Sequence, residues 1–198
     1  MNILKKTEIR QSIKLMRKNS SDETNELGSN QICKQIENTG VYKQAQHIGL
    51  YSALHGEVSL ADLFSSLSFL NKIAYYPRMN TDKTLTFLRV DKETSFVKNT
   101  LGIFEPQLQT EVSIQMFMLD LLLIPVVAFD ATGSRLGRGG GCFDRSMASQ
   151  RPRCLMGVAY DYQYQDLIPN DPWDISLDMV VTEKNVYCMS QNQINHNS

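Results

Sequence analysis

Leu121-Leu122-Leu123-Ile124-Pro125-Val126-Val127-Ala128-Phe129 is followed, after a short turn, by Gly133-Ser134-Arg135-Leu136-Gly137-Arg138-Gly139-Gly140-Gly141-Cys142-Phe143-Asp144-Arg145. An apolar run of this length reads as a strand buried on both faces, and the glycines after it as an anion-binding turn. Glycine fills every position from 137 to 141 except Arg138. Without Cβ atoms these residues let backbone N–H groups approach a ligand closely. Arg135, Arg138 and Arg145, with Asp144, suit a polyphosphate and its metal ion. A tight turn that only starts a helix would use the same glycines, so the loop alone leaves both readings open.

Generic phosphate signatures do not fit. No Gly-Lys-Ser/Thr follows these glycines, a dinucleotide pattern begun at Gly137 meets Cys142, and one begun at Gly139 meets Asp144. The Asp-Phe-Gly and His-Arg-Asp tripeptides of protein kinases do not occur.

Outward from this centre, strand patterns alternate with helical ones. His47 to Tyr51, Lys72 to Tyr76 with Pro77 as its stop, Thr84 to Val90 with one wet face, Arg153 to Ala159 and Leu177 to Val181 read as strands. In the first segment Ile9, Ile13 and Met16 form an apolar helical stripe beside the basic residues Lys6, Arg10, Lys14 and Arg17. On spacing alone, that basic stripe faces solvent. A second helix is expected from about Glu23 to Asn38, with Leu27, Ile32 and Ile36 on one side and Gly40 ending it. A third runs from Ser59 to Leu70, and a short one from Cys142 to Ser149 points its N-terminus at the glycine loop.

The alternation predicts an α/β fold with a mostly parallel central sheet. One domain is expected over residues 1–189, with a polar, frayed tail over 190–198. Ligands of such sheets bind beyond the carboxyl ends of the strands. The segments after Tyr51, Tyr76 and Tyr160 are therefore expected to share one cleft with the loop.

Composition narrows the function. The 198 residues are 42% hydrophobic, and 20 basic against 21 acidic residues give a net charge of −1. That balance lacks the positive field of nucleic-acid binders, so no nucleic-acid partner is expected. The apolar run is too short to span a membrane, and Met1 to Lys6 leads into charged helical sequence without an apolar leader. A cytoplasmic protein is expected, with no membrane partner. Cys33, Cys142, Cys154 and Cys188 form no C-x-x-C pair, and His47, His55 and His196 are too scattered for a metal cluster or a Ser-His-Asp triad. Glu57 suits either a helix dipole or the donors of a ligand. Asp144, Asp171 and Asp174 suit either caps and turns or Mg²⁺.

Ile124 to Asp130 together with Arg135 to Arg145 resembles the signature of the 5-formyltetrahydrofolate cyclo-ligase (methenyltetrahydrofolate synthetase) family. The resemblance extends to Lys6-Thr7-Glu8-Ile9-Arg10 with Arg17, to Tyr51 with Gly56-Glu57-Val58, and to Tyr76-Pro77-Arg78. It continues through Gly102-Ile103-Phe104-Glu105-Pro106, itself a turn by composition, to Asp174, Leu177-Asp178 and Val181-Thr182-Glu183.

The resemblance implies a three-layer sandwich like that of ribose-phosphate isomerases and coenzyme A transferases. It implies ATP-dependent closure of 5-formyltetrahydrofolate to 5,10-methenyltetrahydrofolate, through a phosphorylated formyl group. ATP and Mg²⁺ are the implied cofactors, and a folate, polyglutamylated or not, is the implied partner of a monomer. By the same resemblance, Lys6, Arg10, Arg135, Leu136, Gly137, Arg138, Gly139, Gly140, Gly141, Cys142 and Phe143 would hold ATP. Asp144 and Asp174 would hold Mg²⁺. Tyr51, Ser52, Glu57 and Tyr76 would contact folate, with Phe87 a further candidate for an aromatic wall. Arg10, Arg145 and the Gly140 N–H would stabilise the transferring phosphoryl group. Cys142-Phe143 stand where the family commonly has two tyrosines, and Trp173 where many members have histidine. A sugar-phosphate isomerase, a CoA transferase-like enzyme or a folate- or nucleotide-binding protein without turnover would share the fold and the anion loop.

Overall fold

The computed structural model of the chain describes residues 2–107 and 112–189. Its helices are α1 (Asn2–Asn19), α2 (Asp22–Asn38), α3 (Gly40–Gln44), α4 (Ala61–Leu67) and α5 (Cys142–Met147). Its strands are β1 (His47–Gly49), β2 (Ile73–Met79), β3 (Leu85–Val90), β4 (Phe96–Lys98), β5 (Phe104–Pro106), β6 (Ser113–Ile114), β7 (Leu121–Pro125), β8 (Ala128–Phe129), β9 (Arg135–Leu136), β10 (Leu155–Val158), β11 (Met179–Val181) and β12 (Val186–Cys188).

An eight-stranded sheet has the order β12-β11-β10-β7-β1-β2-β3-β6. The strands from β11 to β2 run parallel, while β12, β3 and β6 join antiparallel at the edges. The apolar run supplies β7 at the centre, paired with β1 at Ile48↔Leu121 and with β10 at Gly157↔Ile124.

Period-two alternation sends Leu121 and Leu123 to one face, among Ile32, Ile36, Tyr42 and Leu63 of the α2–α4 layer. Leu122 and Ile124 face the other way, among Phe87, Phe129, Met147 and Val180. That second face is covered by the β8–β9 hairpin, α5 and a short helical turn at Met116–Met118. Gly49 on β1 permits close packing there, since a Cβ would stand 2.6 Å from Leu122 Cδ1. A third cluster, with Ile13, Val127, Ala128, Leu136 and Ile168, fastens α1 to the hairpin.

Several local expectations change. Pro77 lies inside β2 and does not end it. The Tyr75 carbonyl accepts from Leu50 N–H on the β1 side, so residue 77 would also aim its N–H toward β1, whose pairing ends at Gly49. No ladder bond is lost, and proline is accommodated. β3 has no continuous wet face, because Phe87, Leu88 and Val90 are all buried while Arg89 is exposed. Gly40 begins α3, with Thr39 as the cap between the two helices. Met16 and Leu27 are exposed, and Ser29 and Cys33 join Ile32 and Ile36 on the buried side of α2. Gly102 turns as expected, but Phe104–Pro106 pairs with β4. The expected tail over 190–198 lies outside the described residues.

Candidate active site

A cleft of about 720 Å³ opens beyond the carboxyl ends of β1, β2 and β7. Asp130 sets the geometry of one wall. This buried carboxylate accepts from the N–H groups of Thr132 (2.9 Å), Ser134 (3.1 Å) and Ile168 (2.8 Å). With these three N–H donors and the Thr132 hydroxyl at 2.6 Å it closes the β8–β9 hairpin and aims Arg135 and the following glycines at the cleft.

The glycine segment has the backbone of an anion cradle. Gly139 (φ +100°) and Gly141 (φ +64°) occupy conformations that side chains disfavour. Gly137 through Gly141 donate no backbone hydrogen bond among the described residues. The cradle is held by its carbonyls: Arg10 Nε donates to Gly137 O at 2.9 Å, and the Arg145 guanidinium donates to Gly140 O. Neither arginine has a carboxylate within salt-bridge distance among the described residues, so both cationic groups stand unbridged beside free N–H donors.

Beneath the cradle, Arg135 is buried and binds Asp144 Oδ1 at 2.6 Å, while its Nη1 has no hydrogen-bond partner. Burial lowers the Arg135 pKa and the Asp144 charge opposes that. At the cleft's other end Lys6 Nζ lies 2.7 Å from both Asp171 and Asp174. Burial works against its charge, but the two carboxylates outweigh it and raise its pKa.

Opposite the cradle, Gly56 (φ +77°) turns the chain so that Glu57 points inward. Glu57 Oε2 accepts from Leu54 N–H at 2.9 Å and Oε1 from Arg138 Nε at 2.8 Å, with the Glu57 side chain only 5% exposed. Leu54, Met79, Leu101 and Ile103 make this side apolar. Tyr51 lines the cleft, but its side chain is buried in the core on the helix-layer side, where its hydroxyl donates to Val58 O at 2.8 Å. Such a pocket fits a flat heterocycle with N–H donors.

The structure brings Lys6, Arg10, Tyr51, Ser52, Glu57 and the whole of Arg135–Arg145 to one cleft, with Asp174. Tyr76 is placed elsewhere: its ring is buried edge-on between Phe64 and Phe96, and Pro77 and Met79 line the cleft instead. Strand alternation explains this, since Tyr76 points to the helix layer. Phe87 is likewise in the core. Tyr160 itself points into the helix layer, with its hydroxyl bonded to Ser29 and Asn25, while the connection after it reaches the cleft only at Asp171, Trp173 and Asp174. Arg17 leaves the cleft and donates to Val126 O at 3.3 Å beneath the Gly56 turn. Trp173, Leu101 and Ile103 line the cleft without having been singled out as site residues, and Asp171, offered by the sequence as either a turn residue or a Mg²⁺ ligand, lines it as well.

A divalent cation bound with polyphosphate needs only one or two protein carboxylates. Asp144 commits Oδ1 to Arg135, and Asp174 commits Oδ2 to Lys6. Their other oxygens take no hydrogen bond among the described residues, which fits hard-cation binding. No cluster of three or more potential metal-binding side chains exists among the described residues. No described helix is long and apolar enough to cross a membrane.

Comparison with known proteins agrees with this geometry. Residues 2–183 match the model of the 5-formyltetrahydrofolate cyclo-ligase family. A 5-formyltetrahydrofolate cyclo-ligase of Haemophilus influenzae is 34% identical over 181 residues, 89% of this chain and 97% of that one. One from Escherichia coli K12 is 33% identical over 147 residues, 72% of this chain and 81% of that one. Among solved structures, a 5,10-methenyltetrahydrofolate synthetase of Aquifex aeolicus superposes with a TM-score of 0.82 at 29% identity, covering 97% of this chain and 99% of its own. One from Mycoplasma pneumoniae gives a TM-score of 0.71 at 26% identity, covering 90% and 98%. With its sheet, its cradle and nearly its whole length matched in this way, the chain belongs to the 5-formyltetrahydrofolate cyclo-ligase family.

Proposed function

We propose that this enzyme closes 5-formyltetrahydrofolate to 5,10-methenyltetrahydrofolate at the expense of ATP, giving ADP and phosphate. The observation that carries the reading is one cleft holding an unpaired cationic cradle, at Arg10, Arg145 and Gly137–Gly141, and a shielded acceptor at Glu57.

A formamide oxygen is a poor leaving group. Transfer of the γ-phosphoryl to it, with release of ADP, converts it to phosphate ester. The folate N10 lone pair then attacks the activated carbon, phosphate leaves with the C–O bond pair, and N10 loses its proton. The protein's part is alignment and charge neutralisation. The free N–H groups of Gly139 to Gly141, with Arg10 and Arg145, oppose charge that grows on the phosphoryl oxygens. Arg135 Nη1 offers a further donor from below. Mg²⁺, held by Asp144 and Asp174, would supply additional neutralisation of the phosphates. Glu57 accepts from the pterin N–H groups, beside Tyr51 and Ser52.

The reading extends to a single domain over residues 1–189, a monomer working in the cytoplasm on folates with or without a polyglutamate tail, and kinship of the sheet with ribose-phosphate isomerases and CoA transferases. Incubation with 5-formyltetrahydrofolate and Mg-ATP is expected to raise the methenyl absorbance. Folded protein that binds ATP and folate without any rise would instead be a binding protein.

A further inference from the structure

Trp173 is the chain's one tryptophan and lines the cleft while 70% exposed. It stands at the tip of a turn closed twice, by Asp174 N–H to Asp171 O at 2.9 Å and Asp171 N–H to Asp174 Oδ2 at 2.9 Å. Both carboxylates bind Lys6 of α1, so the turn is anchored to the helix that also supplies Arg10. Ile3, one turn before Lys6, lines the same end of the cleft and is 78% exposed. A large indole held out on a fastened turn, with an aliphatic side chain on the same wall, is a surface made for a flat ring.

We propose that Trp173 is the platform on which the nucleobase of ATP stacks, an inference that rests on the proposed ATP use. The cradle of Arg10 and Gly137–Gly141 lies between two unlike ends. The end at Glu57 has a shielded carboxylate and apolar walls that suit the pterin. A triphosphate on the cradle therefore extends its ribose and base toward the Lys6 end, where Trp173 stands. Stacking accepts any base, so Trp173 contributes affinity for nucleotides without choosing adenine over guanine.

Indole emission reports this contact directly, because no other tryptophan contributes. ATP is expected to change the emission saturably, whereas inorganic tripolyphosphate, which fills the cradle without a base, leaves it nearly unchanged. Trp173→Ala should raise the KM for ATP roughly tenfold, about 1.4 kcal/mol of lost stacking. The KM for 5-formyltetrahydrofolate should stay within about twofold, and Trp173→Phe should recover most of the ATP affinity. Since the side chain is mostly exposed, the circular dichroism of each variant should match the wild type. An unchanged KM for ATP in Trp173→Ala, or a rise confined to the folate KM, would overturn the assignment. An ATP-dependent emission change in protein that closes no ring would refute the proposed reaction and support the base platform.

Discussion

Arg138 Nε donates to Glu57 Oε1 at 2.8 Å, joining the glycine cradle to the opposite wall of the cleft. Glu57 is nearly covered while Arg138 is half exposed, so the pair sits where one partner is desolvated and the other is not. Partial solvation limits its contribution to stability. Its position matters more for substrate: a folate N–H donor at Oε1 meets the guanidinium already there. Glu57→Gln is expected to raise the folate KM about tenfold, as one charge-assisted hydrogen bond weakens. The ATP KM should move less. Steady-state kinetics with each substrate varied separately will show the split, and equal increases in both constants would argue against a folate-contacting Glu57.

Arg10 and Arg145 have no carboxylate within salt-bridge distance among the described residues, and their removal leaves no buried charge unpaired. Arg10→Ala and Arg145→Ala should therefore fold normally yet lower kcat by about 100-fold, the typical loss on removing one donor aimed at developing charge. Thermal melts and rapid-quench kinetics separate the two effects. A lowered melting point with normal kcat would make these arginines structural.

The cysteines differ sharply in environment. Burial pushes Cys33 up to about 11 and Cys154 up to about 12, whereas Cys188 is exposed and Cys142 lies at the end of the cradle. A thiol reagent at about pH 8 is expected to spare the two buried thiols and to modify Cys142 and Cys188. ATP should slow modification of Cys142 alone. Peptide mass spectrometry over a time course reads this, and protection at Cys188 instead would place the nucleotide elsewhere.

Asp120 links sheet and loop at the opposite end of the strands, accepting from Gln46 and His47 N–H at 2.9 Å each. Partial burial raises its pKa, but these two donors outweigh it and hold the carboxyl below its ordinary 3.8. A depressed folded pKa contributes stability that is complete above about pH 4 and is lost as pH falls through the folded value. The urea midpoint of Asp120→Asn should therefore lie below wild type at neutral pH, with the gap narrowing below about pH 4. A gap that widened in acid would contradict the sign.

The sheet was legible because β7 and β10 are apolar runs and β1 opens a longer strand-like stretch, His47 to Tyr51. The β4–β5 and β8–β9 hairpins were not, since strands of two or three residues carry no period. Glycine density and arginines marked the cradle in sequence. The Arg138–Glu57 pair spans 81 positions and Lys6–Asp174 spans 168, distances over which no local pattern acts. Tyr76 failed as a cleft residue for a local reason: its strand continues through Pro77, and parity turns its ring inward.

Product and nucleotide counted in the same sample give the most direct measure. With 5-formyltetrahydrofolate and Mg-ATP, methenyl product and ADP should appear in equal amounts, and neither should form when the other substrate is withheld. Methenyl product without ADP, or ADP released at the full rate without folate, would contradict coupled ring closure in this cleft.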